Sequence, residues 1–426
     1  MTESRLLLTL LFGFLAIGVP VHASLGLSGL IVFFSSDLPL PAGAHTILNG
    51  ANSFPLIAIP FFIFAGELMN RSGVTDRIFS CARSLVGWLP GGLGHVNVAS
   101  SVVFAGMSGA AVADAGGLGA VEIKAMRDAG YDKPFAVGVT AASSIIGPII
   151  PPSLALIIYG VVADVSIGQL FAAGIVPGLI MALALMAMVA WYSIRRNYPR
   201  DPSFNRREAL SKSKSALLPL LTPVIIIGGI VTGMFTPTEA AIAAVLYTAL
   251  LGMGVYRSLG WRGILDASIQ TVKTTSSVLM IVASAALFAW ILTANQAAEV
   301  LSQNVLSLSS NPTIVLLLMM LIVLVMGFFM ETIAAITILV PLFLPAAAVV
   351  GIDLTHLGIL MVLNLMIGLL TPPIGMVLYV LAKVSDTPFE DCVRATAPFL
   401  VPLIGVLLLL ILFPQLALWL PGLAFP

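Results

Sequence analysis

Apolar residues run along this chain in blocks of about twenty, separated by short polar stretches. We read membrane-spanning helices near 5–22, 25–36, 52–70, 134–158, 169–193, 215–234, 236–256, 275–295, 358–382 and 395–415. Two further apolar regions, 93–130 and 312–350, are rich in Gly, Ala or Pro, and each has room for two short helices. They are expected to be helical hairpins that enter the membrane and turn back. The predicted fold class is an all-α polytopic membrane protein.

The polar positions give orientation. Lys and Arg gather in 71–83, 124–133, 194–214, 257–273 and 383–394, which places those segments in the cytoplasm. Between Lys273 and Lys383 there is no Lys or Arg, so the loops near 40–50, 160–168, 296–311 and 351–357 are expected outside. The longest polar stretch, 193–214, reads as a solvated cytoplasmic linker between two halves. At the N-terminus, Arg5 followed by "LLLTLLFGFLAIGVPVHAS" has the outline of a signal peptide. An uncleaved first span is the preferred reading, because another apolar stretch follows at once in a chain that is already multispanning.

Composition narrows the function classes. Charged residues make up 9% of the 426, against about 25% in soluble globular chains, and mean hydropathy is +1.10. The net charge of zero implies no nucleic-acid partner. Cys81 and Cys392 are isolated, and the four histidines are scattered without ligand spacing. No phosphate-binding loop of the G-x-x-x-x-G-K-[ST] type occurs, and no organic cofactor is expected. An intramembrane enzyme would need a catalytic set at depth. Asp114 has no second membrane Asp near it, and no His falls in the core motifs.

The chain is internally repetitive. A shift of 221 positions matches Val102 with Val323, Gly106 with Gly327, Gly130 with Gly351 and Asp132 with Asp353, without a gap. The same shift lays "IIGPIIPPS" at 145–153 on "MIGLLTPPI" at 366–374, matching Gly147 with Gly368 and Pro151-Pro152 with Pro372-Pro373. The loop at Asp132 is basic and internal, whereas that at Asp353 lacks Lys and Arg and is external. The repeats are therefore expected to be inverted in the membrane. Inverted repeats with helices broken near the midplane are the architecture of secondary transporters.

A helix interrupted in the membrane exposes carbonyls that have lost their donors. Pro148, Pro151 and Pro152 each remove an N–H, so neighbouring carbonyls can coordinate a hard cation such as Na⁺. The same holds at Gly368, Leu370, Thr371 and Pro373, where the Thr371 hydroxyl adds an oxygen. Asp114 is an ionisable residue inside an apolar element, placed either to contact substrate or a cation or to staple a hairpin. Ser108 and Gly109 fall at the expected tip of the first hairpin, and Glu331 and Thr332 at that of the second. Ser143, Ser144 and Asn364 precede the breaks and face the same two readings. The candidate substrate-binding set is Ser108, Gly109, Asp114, Ser143, Ser144 and Asn364.

At these residues the sequence resembles the large membrane subunit, the M subunit, of tripartite ATP-independent periplasmic (TRAP) transporters. The resemblance covers essentially the full chain. It is carried by "SFPLIAIPFFIFAGELMNRSG" (53–73), "GMSGAAVADAGGLGA" (106–120), "GYDKPFAVGVTAASSIIGPIIPPS" (130–153), "GIVPG" (174–178), "GMFTPTEAAIAAVLY" (233–247) and "LNLMIGLLTPPIGM" (363–376). It implies an elevator, in which a transport domain of both hairpins and both broken helices slides against a scaffold. On that basis 1–92 holds the N-terminal spans, and 93–160 the first hairpin and broken helix. Residues 161–273 hold scaffold spans with the basic linker, 274–311 a span and loop, 312–385 the second hairpin and broken helix, and 386–426 the C-terminal span.

The resemblance further implies coupling to Na⁺. One site would use backbone near Ala105–Gly106 with Gly147, Ile150 and Pro152; the other would use Gly327, Gly368, Thr371 and Met376. Ser108 and Asp114 would contact substrate. Many members read Ser-Gly-Ser at the first tip; here it is Ser108-Gly109-Ala110, which removes one hydroxyl. The implied substrate is a small organic acid delivered by a soluble periplasmic binding protein. The implied setting is the bacterial inner membrane, with lipid around the chain and a small membrane subunit (Q type) beside it. The alternative is a stand-alone ion or dicarboxylate carrier that needs no binding protein. A gated channel suits paired cation-coordinating breaks less well.

Overall fold

A computed structural model of the chain describes residues 2–36, 39–201 and 203–425, and among these it contains helices and no strand. The first helices are α1 (Thr2–Ala16), α2 (Val21–Ser35) and α3 (Leu40–Ala51). A 3₁₀ turn, Phe54–Ile57, leads into α4 (Ala58–Arg71), and α5 (Val74–Val86) follows. Next come α6 (Gly92–Ser108), α7 (Ala111–Gly116), α8 (Leu118–Asp128), α9 (Lys133–Ser144) and α10 (Leu154–Ala163). Long helices occupy the middle: α11 (Ile167–Arg196), α12 (Arg206–Val231), α13 (Pro237–Leu250) with a π turn at Leu251–Val255, and α14 (Trp261–Ala294). The chain continues through α15 (Ala297–Leu308), α16 (Pro312–Gly327), α17 (Thr332–Val350), α18 (Leu354–Gly368) and α19 (Met376–Ser385). It ends with α20 (Phe389–Leu412) and α21 (Gln415–Ala424). Among the described residues, 7 helical stretches are long and apolar enough to cross a membrane.

The stretches related by the 221-residue shift fold into the same succession of elements. In each, two helical arms meet at a tip (α6 with α7–α8, and α16 with α17), and a helix broken at a Pro-Pro pair follows. Both broken helices start after a left-handed glycine, Gly130 or Gly351, and an N-cap aspartate, Asp132 or Asp353. The apparent spans 134–158 and 358–382 are therefore each two short helices, as the missing proline donors require. The Pro151–Pro152 and Pro372–Pro373 bonds are both cis. The halves meet where Tyr159 of α10 donates to the Leu354 carbonyl at the start of α18 (2.6 Å).

Several segments expected to lie outside the membrane, as loops or as cytoplasmic stretches, are helical. Residues 40–50 lie in α3, most of 71–83 in α5, and most of 296–311 in α15. The second half of the basic stretch 193–214 forms the opening turns of α12, where Asn205 caps by accepting from Arg207 N and Glu208 N. Most of 257–273 belongs to α14. The reason is amphipathicity. In α5, Val74, Ile78, Cys81 and Ala82 are buried while charges occupy the other face, so the mean polarity of the segment hides its helical period. The first apolar run also divides earlier than expected, at Ala16, because left-handed Gly18 and then Pro20 interrupt it before Val21.

Candidate functional site

The first hairpin tip rests on the first break. Gly109 closes α6 in the left-handed region (φ +62), where a Cβ would lie 2.5 Å from the Pro152 carbonyl oxygen. Only glycine meets both the conformation and the close approach. A Cβ on Gly106 would stand 3.8 Å from the Pro151 carbonyl oxygen of the break, and the Pro223 ring of α12 comes closer still, at 2.6 Å. Ala105 is fully buried beside it, and Ser108 ends the same helix. Across the break, the Asp114 carboxylate occupies the space that a Gly147 side chain would fill. Ile150 inserts against Gly178 of α11. Ser153 then restarts the helix: it accepts from Leu156 N (3.2 Å) and donates to the Pro148 carbonyl (2.5 Å). All of 145–153 is buried.

At the second break the end of the first arm, Gly327, meets Gly368 backbone to backbone. A Cβ on Gly368 would lie 2.8 Å from both the carbonyl carbon and oxygen of Gly327, so the absence of a side chain lets the two chains touch. Glu331 caps α17, accepting from Ile333 N (2.9 Å) and Ala334 N (3.3 Å). The Thr371 hydroxyl donates to the Ile367 carbonyl (2.8 Å) and keeps lone pairs for another ligand. Met376 opens α19 and packs on the apolar core. Unlike the first break, this one surfaces: Thr371 is half-buried, while Pro372, Pro373 and Ile374 are exposed.

The residues just before each break tie it to the first arm of its own hairpin. Ser143 donates to Asn97 Oδ1 on α6 (2.6 Å), and Asn364, its partner under the 221-residue shift, donates to the Met320 carbonyl on α16 (2.5 Å). Both residues were candidates for substrate contact; the structure gives each a hairpin partner. Ser144 turns into its own helix and donates to the Ala141 carbonyl (2.8 Å).

Around Ser143 lies a buried polar seam that the sequence pattern does not reveal. Asn97 Nδ2 donates to Glu122 Oε2 (2.7 Å) and to Thr140 Oγ1 (2.7 Å). Asn97, Glu122, Thr140 and Ser143 are all at most 1% exposed. Glu122 is hidden by its neighbours in "EIKAMRD", which reads as a cytoplasmic charge run. A helical wheel would have separated it, since Lys124 and Arg127 are exposed while Glu122, Ile123 and Met126 face inward.

The family described as "Tripartite ATP-independent periplasmic transporter, DctM component" matches residues 8–416. This chain belongs to that family. Within it, the chain is 48% identical to the sialic acid TRAP transporter large permease protein SiaM of Vibrio cholerae, over 96% of each protein. It is 37% identical to the isethionate TRAP transporter permease protein DctMQ of Oleidesulfovibrio alaskensis, over 97% of this chain and 66% of that protein. In fold it resembles the Alcanivorax borkumensis YdaH transporter, with a TM-score of 0.60 at 15% identity, covering 89% of this chain and 88% of that one. As a TRAP large permease the chain is a transporter subunit of the bacterial inner membrane and not an enzyme.

Proposed function

We propose that this DctM-family subunit translocates a small organic acid into the cell, driven by the Na⁺ gradient. In this reading the two stretches, 92–163 and 312–385, are inverted repeats. Their hairpins and broken helices move together as an elevator against the remaining helices. The observation that carries the reading is the seating of the end of each hairpin's first arm on a break, through Gly109 on Pro152 and Gly327 on Gly368. Each contact sets one backbone oxygen, of Pro152 or of Gly327, where two segments meet, and backbone oxygen is the donor a hard monovalent cation prefers. Na⁺ would lie among the carbonyls near Ala105–Gly106, Gly147, Ile150 and Pro152, and near Gly327, Gly368 and Thr371 with Met376 alongside. The substrate would meet Ser108, Gly109 and Asp114 at the first tip. Each positive charge moving inward contributes about 2.3 kcal/mol per 100 mV of membrane potential, so no nucleotide is needed.

The name of the SiaM relative, a sialic acid permease, supports a carboxylate as cargo. The name DctMQ, and the greater length of that protein, support a small Q-type subunit beside this chain. A periplasmic binding protein would deliver the acid. The test is uptake of candidate acids into proteoliposomes holding this chain and its small subunit, with and without Na⁺ and the binding protein. Uptake is expected only with both. Uptake that persists without a Na⁺ gradient would remove the coupling, and uptake without the binding protein would favour a stand-alone carrier.

A further inference from the structure

Glu122 is 1% exposed on α8, and among the described residues it forms no ion pair. One oxygen, Oε2, accepts from Asn97; the other, Oε1, has no hydrogen-bond partner. The groups facing it are neutral or acidic. Asn97 comes from α6 and Thr140 from α9, and the one charged residue of α19, Lys383, is exposed; Asp114 of α7 is the titratable group close enough to act on it. The basic residues of its own helix, Lys124 and Arg127, are exposed on the opposite face. An ionised carboxylate here would be buried without a counter-charge and beside a second acid, which is the costly case. A neutral acid leaves only an unmatched hydroxyl, a far smaller penalty.

We propose that Glu122 is a positioning residue that works as a neutral, proton-bearing acid: through Asn97 it fixes the register of the first hairpin on α9, directly ahead of the first break. Asn97 is the hub. Its amide reaches Glu122 and Thr140, and its carbonyl oxygen receives the Ser143 hydroxyl four residues before Gly147. Holding this hub in one orientation sets where the tip at Gly109 lands on Pro152. The second half has no such device, because the shift places Phe343 opposite Glu122 and Leu318 opposite Asn97. That this register bears on Na⁺ binding rests on the function proposed above.

The experiment compares wild type, Glu122→Gln, Glu122→Ala and Asn97→Leu in the full chain purified with its small membrane subunit. Glu122→Gln, which keeps the neutral shape, should hold uptake within about twofold of wild type. Glu122→Ala and Asn97→Leu should lose about tenfold or more and need more Na⁺ for half-maximal uptake, which is the scale expected when a buried polar partner is removed. Infrared difference spectra of wild type against Glu122→Gln should show a protonated-carboxyl band that persists when Na⁺ is added. The proposal is overturned if Glu122→Gln is as damaged as Glu122→Ala, if both substitutions at 122 are silent, or if the band is absent or vanishes with Na⁺. Should Glu122→Ala fail to assemble, the Gln variant and the spectrum still decide. Should uptake prove independent of Na⁺, the spectrum and the Gln-to-Ala contrast are unaffected.

Discussion

The two hairpin-and-break units share a backbone plan but are filled differently. Around the first break the seam is polar, built from Asn97, Asp114, Glu122, Thr140 and Ser143, all at most 1% exposed. The positions matched by the 221-residue shift are Leu318, Ala335, Phe343, Met361 and Asn364, so the second seam keeps a single polar member. The first break is wholly buried, whereas the second presents Pro372, Pro373 and Ile374 at the surface. Directional hydrogen bonds hold a unique register, while apolar contacts mainly fill volume and tolerate sliding. A fixed first unit and a looser second one can therefore arise from one repeated backbone.

The largest test of this contrast is at Phe343, which is 1% exposed. If volume stabilises the second seam, Phe343→Ala should lower stability by about 3–5 kcal/mol, read as a fall in the thermal midpoint of the purified protein. A loss below about 1 kcal/mol would mean that seam is not close-packed. Accessibility comes next. With the buried Cys81 and Cys392 replaced, a cysteine at Ile374 should react with a soluble thiol reagent on the order of a hundredfold faster than one at Ile149, because the buried site reacts only through local opening. Equal rates would erase the asymmetry between the breaks.

Gly109→Ala should follow. A left-handed alanine costs about 1–2 kcal/mol before its Cβ meets the Pro152 carbonyl, so uptake should fall roughly tenfold or more while the protein still assembles. Wild-type uptake by this variant would detach the tip from the transport step. The smallest effect is expected at Asn364. Removing its hydrogen bond to Met320 with Asn364→Leu should cost about 1 kcal/mol of stability, measured by the same thermal assay. A much larger cost would show that the second seam also depends on its one polar contact.

The sequence disclosed the backbone plan better than its filling. Prolines and glycines act locally, so "IIGPIIPPS" and "MIGLLTPPI" announced two breaks, and the structure interrupts the helices at 145–153 and 369–375. Membership of the DctM family was legible for the same reason, because those motifs are specific. Amphipathic helices were missed where charged or other polar residues lower the mean hydropathy of a segment, as with Asp76, Arg77 and Arg83 in α5 and with His45, Thr46 and Asn49 in α3. The Asn97–Glu122–Ser143 seam was missed because its members lie 25 and 46 residues apart in the chain, and only the fold brings them together. Asn364 was singled out by position, but its partner, a backbone carbonyl of another helix, leaves no mark in the sequence.

The length of α14 has a consequence for how this protein sits in lipid. Its 34 residues extend about 51 Å, against a hydrocarbon core of about 30 Å. Even at a tilt of about 40°, the upper end for spanning helices, the core covers only some 39 Å of such a rod. At least about two turns must therefore stand in the headgroup region, and the first turns have the residues for it: exposed Trp261 and Arg262, then Asp266, whose carboxylate lies 3.7 Å from Arg71. A thinner or thicker bilayer would change the lean of this helix first. Because α2, α3, α4 and α17 all pack along it, a change in its lean would be felt by α17, the second arm of the second hairpin.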